Sequence, residues 1–225
     1  MGSKKILALG FAILMVFSSV LVNRVVVADS ELNLPSTIVW IEVSNGTESY
    51  FSTVLSDVPS GYDVANGAYV GWCVDRTADM ERSPTKHAVT LYSSTSPLGE
   101  LASEKWDMVN YILNHKQGTR EDIQQAIWYF INMVGNYTPT SPIAIAIVND
   151  AIANGNGFVP SNGQIVAVIC YPEALLPDGP VQISIIEITT PVISEFSSFL
   201  ILPMFMLATL LLVLAFKRSK VRRVY

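Results

Sequence analysis

Cys73 and Cys170 are the only cysteines among 225 residues, and each sits in a short run of aliphatic and aromatic residues: Gly71-Trp72-Cys73-Val74-Asp75, and Gln164-Ile165-Val166-Ala167-Val168-Ile169-Cys170. Three chemistries are open to them. In an exported protein, two cysteines at strand ends suggest a Cys73–Cys170 disulfide, which on the chain-entropy account stabilises a fold by about 4 to 5 kcal/mol for a loop this long. A second chemistry needs a glutamine. A buried thiol held against a carboxamide can displace ammonia and leave an internal thioester, an acyl group that lasts while water is kept out and reacts when an amine or thiol arrives. The third is hydrolysis by Cys73 with His87 or His115, the only two histidines, neither of which lies in a recognisable motif. No convergent set of acid, base and nucleophile is legible, so catalysis is not expected. Asp75, Asp79 and Glu81 lack the glycine and the oxygen spacing of a calcium loop. No other ligand cluster is present, so neither metal nor cofactor is expected.

The elements that must position these groups follow from periodicity. Ser36 to Val43 is β-branched and aromatic and ends at Ser44-Asn45-Gly46, which predicts a strand and a turn, with Tyr50 to Leu55 returning as its hairpin partner. Ala68 to Val74, carrying Cys73, and Ala88 to Tyr92 are further strands. From Glu104 the period lengthens: Trp106, Val109, Ile112 and Leu113 share a helical face. Thr119 with Asp122 three residues on caps a second helix, on which Ile123, Ala126, Ile127 and Phe130 form an apolar stripe. Ser141-Pro142 opens a third helix running to Asn154. Gln164 to Cys170 and Val181 to Thr189 are strands again. Strands, a helical block and strands predict an α+β fold: an antiparallel sheet or sandwich with about three helices inserted.

The two ends differ from the middle. Lys4 and Lys5 precede a long apolar run, and Val26-Val27-Ala28 offers small residues for cleavage, so residues 1–28 are expected to be a signal peptide. Residues 196–216 are uncharged and long enough to cross a bilayer, and the basic residues 217–225 after them belong in the cytoplasm. The expectation is a single-pass membrane protein with an extracellular domain at 29–190, a short linker at 191–195 and a transmembrane helix at 196–216. All 19 acidic residues lie between Asp29 and Glu195 against six basic ones, a net of −13. That excludes a nucleic-acid partner, which needs a basic footprint. Asn45-Gly46-Thr47 and Asn136-Tyr137-Thr138 are glycosylation sequons on the exported side, making Asn45 and Asn136 candidate glycan sites.

Trp72-Cys73-Val74, Gln124-Gln125-Ala126-Ile127-Trp128 and Val181-Gln182-Ile183-Ser184-Ile185 together resemble the motif series of bacterial and archaeal surface thioester domains, which act as covalent adhesins. The resemblance implies Cys73 as the thiol, Gln124, Ala126 and Trp128 as the central helical motif, and Gln182 as acyl donor. Ile123-Gln124-Gln125-Ala126-Ile127 fits the donor pattern as well, so Gln124 stands beside Gln182 as an alternative. The implied partners are amines or proteins on another cell or on the envelope. Ser194-Glu195-Phe196 ahead of the apolar run resembles the archaeal PEF-CTERM sorting signal, with Ser194 where that family has proline. This implies an archaeosortase as a further partner, acting at the motif that holds Glu195 and Phe196. The rival expectation is a structural envelope protein stapled by Cys73–Cys170, and the remaining one an exported hydrolase.

Overall fold

The computed structural model describes residues 31–131, 135–173, 181–191 and 206–211. Six strands alternate in the way that one buried face demands: β1 (Val39–Asn45), β2 (Phe51–Ser56), β3 (Gly67–Cys73), β4 (Lys86–Ser93), β5 (Ile165–Pro172) and β6 (Ser184–Thr189). In β1, Val39, Ile41 and Val43 are fully buried while Trp40 between them is exposed, the period-2 signature of a strand with one inner side. The turn into β2 requires Gly46, since a Cβ there would lie 2.3 Å from the Ser49 carbonyl oxygen.

The strands pair in the order β1-β2-β3-β6-β5-β4, all antiparallel, and β4 returns to β1 through Val39↔Val89 and Ile41↔His87. The expected open sheet or sandwich is therefore a closed barrel, because the first and fourth strands join what would otherwise be two free edges. Its interior is packed by Val39, Ile41, Phe51, Leu55, Val89, Val168 and Ile186 among others.

Between β4 and β5 the chain makes a short 3-10 turn (Gly99–Leu101) and three helices, α1 (Trp106–Asn114), α2 (Arg120–Phe130) and α3 (Pro142–Asn154). The predicted caps form. Thr119 accepts from the Asp122 N–H while Asp122 accepts from the Thr119 N–H, a full capping box, and Ser141 accepts from Ile143 and Ala144 ahead of Pro142. Ile112, Leu113, Ile127, Ile147 and Val148 from the helices pack with Trp72, Ile169 and Ile185, which point outward from the barrel wall. The described residues thus form one core inside the barrel and a second between wall and helices.

Pairing of β4 with β5 stops at Ser93↔Val168, which leaves the start of β5 short of a neighbour on that side. Helix α1 supplies one. Asn114 accepts from the Ile165 N–H (2.8 Å) and donates to its carbonyl (2.7 Å), and Asn110, one turn earlier, accepts from the Ala167 N–H (2.9 Å). Two carboxamides stand in for the absent strand.

The expected signal peptide, the Glu195-Phe196 motif and the basic tail lie outside the described residues, as does the expected span except for residues 206–211, which are helical. Among the described residues, no helix is long and apolar enough to cross a membrane.

Candidate functional site

Strand β3 extends past its β2 partner, whose pairing ends at Phe51↔Gly71. The approach is close: a Cβ on Gly71 would sit 2.4 Å from Thr53 Oγ1. Trp72 and Cys73 then have β6 on one side, through Ile185 and Ser184, and, among the described residues, no strand on the other. Trp72 turns outward into the helical core, its indole N–H satisfied by Glu187 at 2.7 Å, with Lys116 2.5 Å from the other oxygen of that carboxylate. By alternation Cys73 turns inward, where it has no exposed surface.

Helix α2 fills the missing side. Gln124, itself fully buried, accepts from the Cys73 N–H at 3.0 Å and donates to the Cys73 carbonyl at 2.6 Å. Its amide copies a strand's donor–acceptor pair and holds the backbone that carries the thiol. One turn on, Trp128 Nε1 donates to Cys73 Sγ at 3.4 Å. Ala126, between them in sequence, is buried in the helical core, where its small side chain permits close packing.

After Cys73 the chain folds over the stretch leading into β6. Val74 and Asp75 donate their N–H groups to the Ile183 carbonyl, Gln182 donates its N–H to the Asp79 carbonyl, and Val181 bridges to Asp79. This loop aims the Asp75 carbonyl at two groups at once. Cys73 Sγ donates to it at 3.1 Å and Gln182 Nε2 donates to it at 2.6 Å. The thiol and the Gln182 carboxamide therefore lie within two hydrogen-bond lengths of each other, and Gln182 is only 7% exposed.

Electrostatics favour the neutral thiol. Burial pushes Cys73 up to about 12; the Trp128 hydrogen bond, Arg82 and Arg76 pull the other way, and Asp75 adds to the rise. Arg76 and Arg82 are two of the six basic residues between Asp29 and Glu195. Arg82 stacks on Phe51 and donates to Asn45 Oδ1 at 3.3 Å. Arg76 stacks on Tyr137 and donates to the Gly135 carbonyl at 2.8 Å. Tyr50 and Tyr137 both meet Trp128 edge-on.

Of the candidate residues, Cys73, Gln124, Trp128 and Gln182 come together. Cys170 does not join them. The register runs Cys73↔Ser184↔Cys170 across three strands, which separates the two cysteines by two interstrand spacings, about 9.6 Å, where a disulfide tolerates no more than about 7 Å between Cα atoms. Both cysteines are free, and burial pushes Cys170 up to about 12 as well. The histidines lie elsewhere. His87 is buried and hydrogen-bonds the Glu81 carbonyl at 2.9 Å, and His115 stacks on Tyr111 at the end of α1. Among the described residues no group of three or more His, Cys, Asp or Glu could hold a metal ion. Asn136 is exposed on the loop after the described gap, and Asn45 ends β1 in contact with Arg82.

Sequence reasoning passed over Arg76, Arg82, Tyr50 and Tyr137. One signal was available: within a domain so poor in cations, two arginines follow Cys73 within nine residues.

No protein-family model matches the chain, and no curated protein is similar to it in sequence. Among solved structures, it is similar to the N-terminal thioester domain of a surface protein from Clostridium perfringens, at 16% identity and a TM-score of 0.43, over 67% of this chain and 98% of that one. A cysteine-to-alanine mutant of that thioester domain matches at 13% identity and a TM-score of 0.41, with the same coverage.

Proposed function

We propose that the protein is a cell-surface adhesion or binding protein that captures amines through an internal thioester between Cys73 Sγ and Gln182 Cδ. One observation carries the reading: Cys73 Sγ and Gln182 Nε2 converge on the same Asp75 carbonyl, in a buried site. Attack of Sγ on Cδ forms the S–C bond and breaks the C–N bond, and Nε2 leaves as ammonia with the thiol proton. An incoming primary amine then attacks Cδ, its nitrogen bonds to carbon, and the thiol is released with a proton. Atoms and electrons balance at both steps without an oxidant. The first step is slow for a neutral thiol, so enclosure of the pair and their enforced proximity supply the advantage.

Gln124 fits a supporting role, since both ends of its carboxamide are engaged by the Cys73 backbone. Among the described residues the Gln182 side chain engages only its amide nitrogen, with the neighbouring loop, which leaves its carbonyl carbon as the acyl donor. The protein acts once per molecule, as a capture device, and is not an enzyme in this reading. We extend the proposal to its setting: residues 1–28 are removed on export, residues 196–216 anchor a single-pass protein with the domain outside and the C-terminus in the cytoplasm, and an archaeosortase acts near Glu195. Asn45 and Asn136 carry glycans in that setting.

Intact mass of the purified full-length protein, with and without methylamine, tests the central claim. The expected spectrum is lighter than the polypeptide by one ammonia and gains one methylamine on treatment. Gln182→Ala and Cys73→Ala are each expected to abolish both changes, whereas Cys170→Ser is expected to keep them. Loss of two hydrogens, with no response to amine, would refute it.

A further inference from the structure

Cys73 is wholly buried, so an amine reaches its bond only after some covering group moves. The cover is layered. Trp128 lies on the sulfur, Tyr137 meets Trp128 at 5.4 Å between ring centroids and 68° between planes, and the Arg76 guanidinium lies 4.9 Å from the centre of the Tyr137 ring. Tyr50 also meets Trp128, at 5.8 Å and 70°. Two steeply inclined rings packed against one indole make a close aromatic cover next to the sulfur, with π faces that attract a cationic nitrogen.

Tyr137 rides on residues 135–141, whose two attachments differ in kind. At the far end, Gln125 Oε1 on α2 accepts from Thr140 N (2.8 Å), Thr140 Oγ1 (3.2 Å) and Ser141 N (3.3 Å). At the near end, the described contacts are the single Arg76 hydrogen bond to the Gly135 carbonyl and its stacking on Tyr137. The far end is built into the helical layer. Among the described residues the near end is held by the Arg76 side chain, which follows directly on the residue whose carbonyl orients both reacting groups.

We propose that Arg76 and Tyr137 determine which amines enter: together they pass a primary amine at the end of an unbranched chain and hold back branched ones. This rests on the thioester reading and adds its substrate class. Arg76 latches Tyr137 against Trp128, so a slim nucleophile needs only a small displacement of the rings to reach the bond. A branched amine needs the guanidinium to leave the Tyr137 face. Gln125 is a positioning residue that keeps the far end of the loop in register.

The test is the ratio of uptake rates for methylamine and tert-butylamine, followed by intact mass on the full-length protein and on Arg76→Ala, Arg76→Lys and Tyr137→Ala. Each alanine variant is expected to narrow the preference for methylamine about tenfold, the scale of a lost cation–π contact and charged hydrogen bond. Arg76→Lys, which retains a cation, is expected to keep most of it. If every variant changes both rates by one common factor, or neither rate, the filter is overturned. Should the parent show no loss of ammonia, the thioester reading alone has failed. The filter is then read from Cys73 itself, by peptide mapping after labelling with methyl methanethiosulfonate or a bulky maleimide. The same narrowing in the alanine variants supports it, and equal narrowness in parent and variants overturns it.

Discussion

Gln124 shows how little of a residue's role is visible in its type. Its carboxamide makes a donor–acceptor pair with the Cys73 backbone in a place no strand reaches. Replacing it with alanine leaves a buried N–H and a buried carbonyl without partners, and each such loss costs about 1–3 kcal/mol. Gln124→Ala is therefore expected to lower unfolding stability by about 2–4 kcal/mol in urea titrations, whereas Gln182→Ala, which removes one donor from a less buried carbonyl, should cost markedly less. The thiols give a second expectation. A thiol whose folded value is raised to about 12 from 9.0 stabilises the fold fully below pH 9. That contribution is lost as pH rises from 9 toward 12, by about 1.4 kcal/mol per pH unit for each ionising thiol. A Cys73 held in a thioester has no proton to lose. Between pH 9 and 11, Cys170→Ala should then remove one thiol's slope and Cys73→Ala should remove none; equal effects from both would indicate two free thiols.

At the scale of elements, the sequence reading located almost every strand and helix, because β-branched runs and a 3.6-residue stripe are local signals. It placed Thr119 and Ser141 as caps correctly for the same reason. Barrel closure was not legible: it depends on Val39 meeting Val89 and Gly71 meeting Ile186, pairings set by register between segments far apart in the chain. The candidate site was legible where residue types are rare, at Cys73, Gln124, Trp128 and Gln182. It was not legible where an ordinary tyrosine and an ordinary arginine meet across a loop, as Arg76 and Tyr137 do. The amide clamps of α1 were also invisible, since two asparagines one turn apart look like solvated surface until β5 is seen beside them. They carry an expectation. Asn110 is buried and joins the Ala167 N–H to Ser94, so Asn110→Ala should destabilise by about 2–3 kcal/mol. Thr119→Ala, which removes only the capping hydroxyl, should cost about 1 kcal/mol. Gly71→Ala pushes a methyl group toward Thr53 and should cost about 1–3 kcal/mol, a loss that Thr53→Ala in the same chain should partly restore.

The molecule as a whole sets a field as well as a shape. With a net charge of −13 between Asp29 and Glu195, the domain attracts cations over roughly one Debye length, about 10 Å at 0.1 M salt. Under the proposed capture chemistry, uptake of a diamine, which keeps one charged nitrogen when the other is free to attack, should slow as sodium chloride is raised from 0.05 to about 0.5 M. Uptake of hydroxylamine, uncharged at neutral pH, should stay nearly constant. Similar salt dependence for both would mean that local packing over Cys73, and not the domain's field, governs approach. The same field keeps copies of the domain apart by like-charge repulsion.

The location of Gln182 just ahead of the last strand has a mechanical consequence. Under the proposed chemistry, the bond to a captured partner leaves from the Gln182 side chain, and Cys73 is released from it. A pull between that partner and any point beyond Thr189 runs along β6 alone, and β1 to β5 lie outside the path of the force. A β-strand already spans about 3.3 Å per residue, close to the limit of the chain, so β6 has almost no slack to give. Tension would pass through the domain as through a taut cord, with the barrel serving as its sheath.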